Sequence, residues 1–231
     1  MSVFGRNIAY EATPPMSAWT QRGALALCGT HEWSLRLPSV LGYLFAGIGM
    51  FFGCRGTLGT TGAILATLAL VWHPDVVDEV RIGRPYGLVL AEMVALLVLT
   101  LRVLRLLTST RDEVPVVPGV LWGLAAAAAV WTHVLTIPPI AMTGLALAAV
   151  DLTVSRRVRR ITLAAGIVVV GGALPLWPML LRMWDWRETL NYQTGTASFL
   201  ASMGTFVWIA LPLAIVVRSV IRTGNAAAPS M

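Results

Sequence analysis

The sequence predicts an all-α fold, a polytopic transmembrane helical bundle of about seven helices. Of its 231 residues, 57% are hydrophobic and only 12% are charged, with a mean hydropathy of +0.75. A soluble domain carries about 25% charged residues, so this chain has too little polar surface to face water on all sides. The apolar stretches recur along the whole chain, which argues against a soluble domain held by one anchor. Lipid is therefore the expected solvent for much of the surface.

Segment length identifies the individual spans. A helix rises about 1.5 Å per residue, so about 20 apolar residues cross the hydrocarbon core. The candidates are Leu37–Cys54, Thr57–Trp72, Pro85–Leu107, Val117–Trp131, His133–Leu152, Ile161–Leu181 and Phe199–Val220. Little more than Arg55-Gly56 separates the first two, and Thr132 alone separates the fourth and fifth. Both pairs are therefore predicted to form tight antiparallel hairpins.

The arginines predict the orientation. Ten of the 17 basic residues, all of them arginine, fall on alternate connections: Arg55, Arg102, Arg105, Arg111, Arg156, Arg157, Arg159, Arg160, Arg218 and Arg222. Because short cytoplasmic loops retain arginine, the run SRRVRR at Ser155–Arg160 favours a cytoplasmic C-terminus and an outer N-terminus. The same role accounts for the net charge of +6, with no nucleic acid as a partner.

Three parts are predicted along the chain. Residues 1–36 form an amphipathic segment on the outer face, residues 37–222 the transmembrane domain, and residues 223–231 a disordered tail. Residues 1–36 would have to cross the membrane without a preceding signal, so we expect that a helix normally precedes Met1. Cys28 and Cys54 lie at opposite ends of the first span and are not expected to pair.

Acidic residues concentrate on the predicted outer face. Six of them flank its connections: Glu32, Asp75, Asp78, Glu79, Asp185 and Glu188. Aspartate and glutamate hardly influence membrane insertion, so this asymmetry needs another cause. A polar cavity on the outer face would supply one.

Four stretches together resemble a known enzyme family. They are TPPMSAW (Thr13–Trp19), HEWSLRLPSVLGYLF (His31–Phe45), HPDVVDEVRIGRPYGL (His73–Leu88) and WTHVLTIPPI (Trp131–Ile140). In this order and spacing they are similar to motifs of the GT-C glycosyltransferases, in the protein-mannosyltransferase (PMT-2) branch. That branch includes the RgtA/B/C/D-like and aminoarabinose-transferase-like enzymes.

The resemblance implies a GT-C-like membrane module in a bacterial plasma membrane. The implied activity moves a sugar from a polyprenyl-phosphate-linked donor to an acceptor glycan, lipid or protein at the extracytoplasmic face. Family members have a first helix followed by an acidic pair that holds the presumed base, and this chain begins after that point. Glu11 does not match the pair, and Ile82 stands where the family often has glutamate. A fragment, a misplaced start codon or a shortened paralogue would each explain these departures.

Arg84 is the predicted ligand of the donor phosphate. It precedes Pro85, which fits the first turn of a helix, and helix N-termini favour anions. Its guanidinium adds bidentate phosphate geometry. The alternative is an interfacial arginine paired with Asp78, Glu79 or a lipid headgroup. Arg81 is the second candidate for the same task.

The acids Asp75, Asp78 and Glu79 are the candidate catalytic groups. A carboxylate can act as the base for an acceptor hydroxyl or as a ligand for a possible divalent metal, Mg²⁺ or Mn²⁺. Asp78 stands one helical turn before position 82, where the family carries its acid. The alternative is a solvated loop in which these acids pair with Arg81.

Three further residues are candidates for binding the substrate. Tyr86 can hydrogen-bond the phosphate or the sugar, although an interfacial aromatic is equally expected there. Glu92 lies within a span, where an ionisable group is a functional candidate; its alternative is a protonated glutamate bonded to a neighbouring helix. His133 opens the fifth span on the outer side and is either a cavity residue or an interfacial histidine.

Three functional hypotheses remain open from the sequence. The first is a glycosyltransferase, or part of one. The second is a non-catalytic paralogue that binds lipid-linked sugar or scaffolds a membrane complex. The third is a small membrane transporter, which Glu92 would favour, although the halves show no inverted repeat.

Overall fold

The computed structural model describes residues 15–82, 86–109, 114–155 and 158–185, and these residues form helices and short connections without a strand. The helices are α1 (Pro15–Cys28), α2 (Glu32–Val71), α3 (Pro74–Ile82), α4 (Tyr86–Leu107), α5 (Val117–Thr132), α6 (Ile137–Ser155), α7 (Arg160–Ala173) and α8 (Trp177–Asp185). Short 3₁₀ turns at Val134–Thr136 and Leu174–Leu176 precede α6 and α8. The predicted all-α fold is confirmed. The predicted seventh span, Phe199–Val220, and the tail lie outside the described residues.

Four segments are long and apolar enough to cross a membrane: Glu32–Val71, Tyr86–Leu107, Val134–Ser155 and Arg160–Leu181. Their outward faces carry large apolar side chains, such as Phe45 at 63% and Ile167 at 71% exposure. Water would strongly disfavour so many exposed apolar side chains. The chain is a multi-pass membrane protein.

The first predicted hairpin is confirmed inside α2. At Gly59 the backbone reaches φ 71°, ψ 175°, a conformation that glycine tolerates and other residues rarely adopt. The Tyr43 hydroxyl donates to the Val71 carbonyl, 28 residues away, whereas a straight helix would separate them by about 40 Å. Helical structure continues past Arg55-Gly56, so the reversal comes later than the sequence suggested.

The second predicted hairpin turns at His133, which has extended backbone angles of φ −157° and ψ 122°. Beyond it α6 runs back along α5, because Gly144 lies against the Trp122 ring. The sixth predicted span is interrupted between α7 and α8. Pro175 and Pro178 remove helical N–H donors there, which explains the 3₁₀ turn.

Residues 73–84 were predicted as a loop, but most of them form α3. Pro74 occupies the first helical position, where a missing N–H costs nothing. Residues 74–82 are therefore helical, and the alternative in which the acids are solvated and pair with Arg81 stays a prediction.

Close backbone contacts fix how the spans pack. The first arm of α2 runs parallel to α4, and a Cβ on Gly87 would lie 2.0 Å from the Ser39 carbonyl oxygen. The Gly87 N–H donates to the Ser39 hydroxyl at 3.1 Å. α5 runs antiparallel to α4, and the Trp122 indole donates to Thr100 at 2.8 Å. Small residues at such crossings let helices approach closely in lipid.

The bundle has two chemically different ends. The first, called the α3 end, carries α1, α3, the start of α4 and the end of α5. The second, called the arginine end, carries the α2 reversal, Arg105, Asp151 and Arg159. Segments predicted for the outer face therefore lie at one end, and the described arginine-rich connections lie at the other.

Candidate functional site

An apolar cavity lies between α3 and α4 at the α3 end. Its volume is about 310 Å³, and its lining residues are His73, Val76, Val80, Tyr86, Val89, Leu90 and Met93. The spacing of these residues follows one face of each helix. The cavity wall is almost entirely apolar, although His73 and Tyr86 are among its lining residues.

Tyr86 and His133 meet beside this cavity. Their ring centroids are 5.4 Å apart with 36° between the planes. Both residues were predicted to bind substrate, although 47 positions separate them in the chain. The antiparallel packing of α4 and α5 brings them together.

The protonation state of His133 follows from its surroundings. The Leu135 N–H donates to His133 Nδ1 at 3.2 Å, so Nδ1 is an acceptor and the neutral ring carries its proton on Nε2. Burial also lowers the pKa of the His133 imidazole below its ordinary value. At neutral pH the ring is uncharged and has one N–H to offer a phosphate or sugar oxygen.

Glu92 lies below this pair, six residues or about 9 Å further along α4 from Tyr86. Its Oε1 is 2.7 Å from the Thr132 hydroxyl oxygen, which is also 2.9 Å from the Ala128 carbonyl oxygen. Oε2 is buried without a hydrogen-bond partner among the described residues. The hydrogen bond to a neighbouring helix is therefore present, whereas protonation of Glu92 stays a prediction.

The acidic candidates are placed only in part. Asp78 is exposed and stands on the face of α3 opposite Val76 and Val80, which line the cavity. The side chains of Asp75, Glu79 and Arg81 lie outside the described structure, as does Arg84 altogether. Their catalytic and phosphate-binding roles stay predictions.

Two groups at this end had no role in the sequence analysis. Thr132 was interpreted only as the break between two spans, yet it is fully buried against Glu92. Trp19 of α1 contacts Trp131 of α5, with ring centroids 5.5 Å apart. The sequence signal available was the motif WTH itself, which carries both Trp131 and Thr132 beside His133.

Metal ligation was considered for the acidic residues of α3. Among the residues that the structure describes, no three histidine, cysteine, aspartate or glutamate side chains are grouped closely enough to hold a metal ion. The chemistry visible at the α3 end is that of hydrogen bonding beside an apolar cavity.

Comparison with known proteins gives one match. A family model described as dolichyl-phosphate-mannose-protein mannosyltransferase matches residues 12–180. The matched region contains α1 through α7 and the first four residues of α8, and therefore the cavity and the Tyr86–His133 pair. No curated protein and no solved structure matches the chain.

Proposed function

The chain belongs to the dolichyl-phosphate-mannose-protein mannosyltransferase family, and from this premise we propose that it is a membrane glycosyltransferase, or part of one. The proposed reaction transfers a sugar from a polyprenyl-phosphate-linked donor to a glycan, lipid or protein acceptor at the extracytoplasmic face. The plasma membrane of a bacterium is the proposed location, with the arginine end and the C-terminus cytoplasmic.

The observation that carries the proposal is the Tyr86–His133 pair beside an apolar cavity. A lipid-linked phosphate needs apolar walls for its chain and hydrogen-bond donors for its head. The cavity supplies the walls, and the Tyr86 hydroxyl and His133 Nε2–H supply donors. Both donors lie at the same end of the bundle as α3.

Charge stabilisation is assigned to Arg84, with Arg81 in support. In the transfer step the C–O bond between the sugar and the phosphate breaks, so negative charge grows on the phosphate. Arg84 is only two residues from Tyr86 in sequence, which supports its assignment to the same site. Its guanidinium would bind phosphate oxygens in a bidentate manner.

Proton removal from the acceptor hydroxyl is assigned to an acid of α3. Asp78 is the first candidate because it stands one helical turn before position 82, where the family carries its acid. Asp75 and Glu79 are the other two. A positioned base contributes about 10²–10⁴-fold to such a step.

Sugar transfer by the reconstituted chain tests this proposal. The purified protein, in liposomes with polyprenyl-phosphate-linked sugars, should release polyprenyl phosphate and label an acceptor. Arg84→Ala should abolish the transfer without affecting membrane insertion. Arg102→Ala is the matched control, because Arg102 is exposed at the other end of α4 and its loss should leave turnover unchanged.

Two results would contradict the proposal. Wild-type turnover by the Arg84→Ala variant would show that Arg84 is not the ligand of the donor phosphate. Donor binding without any transfer would instead favour the non-catalytic relative that binds lipid-linked sugar.

A further inference from the structure

Thr132 is the last residue of α5 and connects that helix to α4. It is fully buried, and its hydroxyl oxygen lies within hydrogen-bond distance of both Glu92 Oε1 and the Ala128 carbonyl oxygen. A threonine hydroxyl has a single proton to donate. If that proton goes to the carbonyl, Glu92 must be protonated and donate to Thr132. If the Thr132 proton points to the carboxylate, Glu92 Oε1 is the acceptor of that hydrogen bond.

Either arrangement holds the end of α5 against α4. The His133 N–H still donates to the Ala129 carbonyl at 2.8 Å, and then the chain leaves the helix. The His133 carbonyl accepts from the Thr136 hydroxyl at 2.7 Å. The position of the His133 ring therefore depends on where Thr132 is held.

Among the described residues, Glu92 is not one of those that line the cavity. The residues of α4 that line the cavity are Tyr86, Val89, Leu90 and Met93. The described partner of Glu92 is Thr132, which directly precedes His133. This geometry suits a role in which Glu92 acts on His133 through Thr132.

We propose that Glu92 and Thr132 are positioning residues for the Tyr86–His133 pair. Their hydrogen bond fixes the end of α5, and the fixed end holds the His133 ring against Tyr86 with its Nε2–H available. The consequence for sugar transfer rests on the proposed function, whereas the consequence for His133 itself does not. The two are measured separately.

The first measurement probes His133 without substrate. Diethyl pyrocarbonate modifies neutral imidazoles, and peptide mass spectrometry gives separate rates for His133 and His31 in the reconstituted full chain. Thr132→Val and Glu92→Leu should raise the His133 rate severalfold, because the ring loses its fixed place. The rate at His31 should not change.

Conservative variants and one matched control complete the set. Thr132→Ser keeps the hydroxyl and Glu92→Gln keeps a hydrogen-bonding group, so both should retain the wild-type rate at His133. Thr143 also donates to the carbonyl four residues earlier, but it lies on α6 without a carboxyl partner in the described structure. Thr143→Val should therefore leave His133 unchanged.

The second measurement is steady-state transfer from a polyprenyl-phosphate-linked sugar. Misplacing a group by about 1 Å costs up to roughly 10²-fold, so kcat/KM should fall by about ten- to a hundredfold in Thr132→Val and Glu92→Leu. The double variant should be no worse than the worse single one, because both changes break the same hydrogen bond.

Each outcome has a distinct meaning. Unchanged His133 rates in Thr132→Val and Glu92→Leu would overturn the positioning role, even if transfer is observed. Altered His133 rates in a chain that transfers no sugar would leave the positioning role standing and contradict the proposed function. If the His31 rate also rises, the substitution has disturbed the fold, and the proposal is then tested with the conservative variants alone. A changed His133 rate in Thr132→Ser and Glu92→Gln would then overturn the proposal.

Discussion

The two ends of the bundle treat a buried carboxyl group in opposite ways. At the arginine end, Asp151 is fully buried and accepts hydrogen bonds from Ser155, Thr162 and both the backbone N–H and the guanidinium of Arg159. At the α3 end, Glu92 has one partner, and its second oxygen is buried without any in the described structure. In native proteins most buried polar atoms have a partner, which is often an ordered water molecule.

The hydrogen bonds of Asp151 have a structural role. Arg159 also donates to the Leu107 carbonyl, so the Asp151 network joins the ends of α4 and α6 to the start of α7. A satisfied network of this kind makes a rigid connection.

The largest expected change in the free energy of unfolding comes from a substitution at the arginine end. Asp151→Ala would leave the Arg159 guanidinium and its backbone N–H buried without their acceptor. Removing one partner of a buried pair costs about 3–5 kcal/mol. The free energy of unfolding in detergent micelles, measured against wild type, checks this value. A loss below about 1 kcal/mol, typical of surface pairs, would show that the network is not structural.

The next largest change in stability is expected from a substitution at the contact between α2 and α4. A Cβ on Gly87 would lie 2.0 Å from the Ser39 carbonyl oxygen, so Gly87→Ala must separate α2 from α4. Overpacking of this kind costs about 1–3 kcal/mol, and it should also reduce transfer, since Tyr86 is the adjacent residue. Chemical denaturation and the transfer assay measure the two consequences.

Gly171 is the control for that substitution. No atom lies within 4 Å of a Cβ built on Gly171 in α7. Gly171→Ala should stabilise the helix by about 0.5–1 kcal/mol, since alanine loses less backbone entropy than glycine. Equal effects at the two glycines would contradict the close contact at Gly87.

A smaller effect is expected from pH. Because burial lowers the pKa of His133, the folded protein disfavours the charged ring more than the unfolded chain does. At a pH above the pKa of His133 in the unfolded chain, the ring is neutral in both states and stability is unaffected. As the pH falls from that pKa toward the lower pKa of the folded state, the unfolded chain binds the proton first, and the free energy of unfolding decreases. Relative to His133→Gln, the unfolding free energy of the wild type should therefore decrease as the pH falls from 8 to 5. Parallel curves would contradict a half-buried neutral imidazole.

The smallest effect is expected from the ion pair between Glu32 and Arg36. Both side chains are substantially exposed, at 78% and 46%, and such pairs contribute about 0–1 kcal/mol. Glu32→Ala should therefore change the unfolding free energy far less than Asp151→Ala does. A comparable loss in both variants would remove the contrast between buried and exposed carboxylates.

The sequence was sufficient for features that depend on local signals. The hairpin within α2 follows from apolar length and the short polar break near Arg55, and the break after α5 from Thr132 and His133. The helix α3 was missed because it has only nine residues and mixes charged with apolar side chains, although Pro74 marks a helix start. The interruption at Pro175 was missed because hydropathy alone counts one long span.

The site was predictable as a set of candidates and not as an arrangement. Alternating spans place Tyr86 and His133 at the same end, but their contact depends on the packing of α4 against α5. The Glu92–Thr132 hydrogen bond joins residues 40 positions apart, and no local pattern in either segment indicates it. Such pairings arise from the packing of whole helices and not from the residues adjacent in sequence.

The most direct test of the account is the place where the lipid phosphate binds. A polyprenyl phosphate with a photoreactive group near its head can be crosslinked to the reconstituted chain, and the modified peptides identified by mass spectrometry. The account predicts crosslinks within residues 73–93 and 131–136, at the α3 end. Crosslinks confined to residues 100–109 and 151–162, at the arginine end, would contradict it.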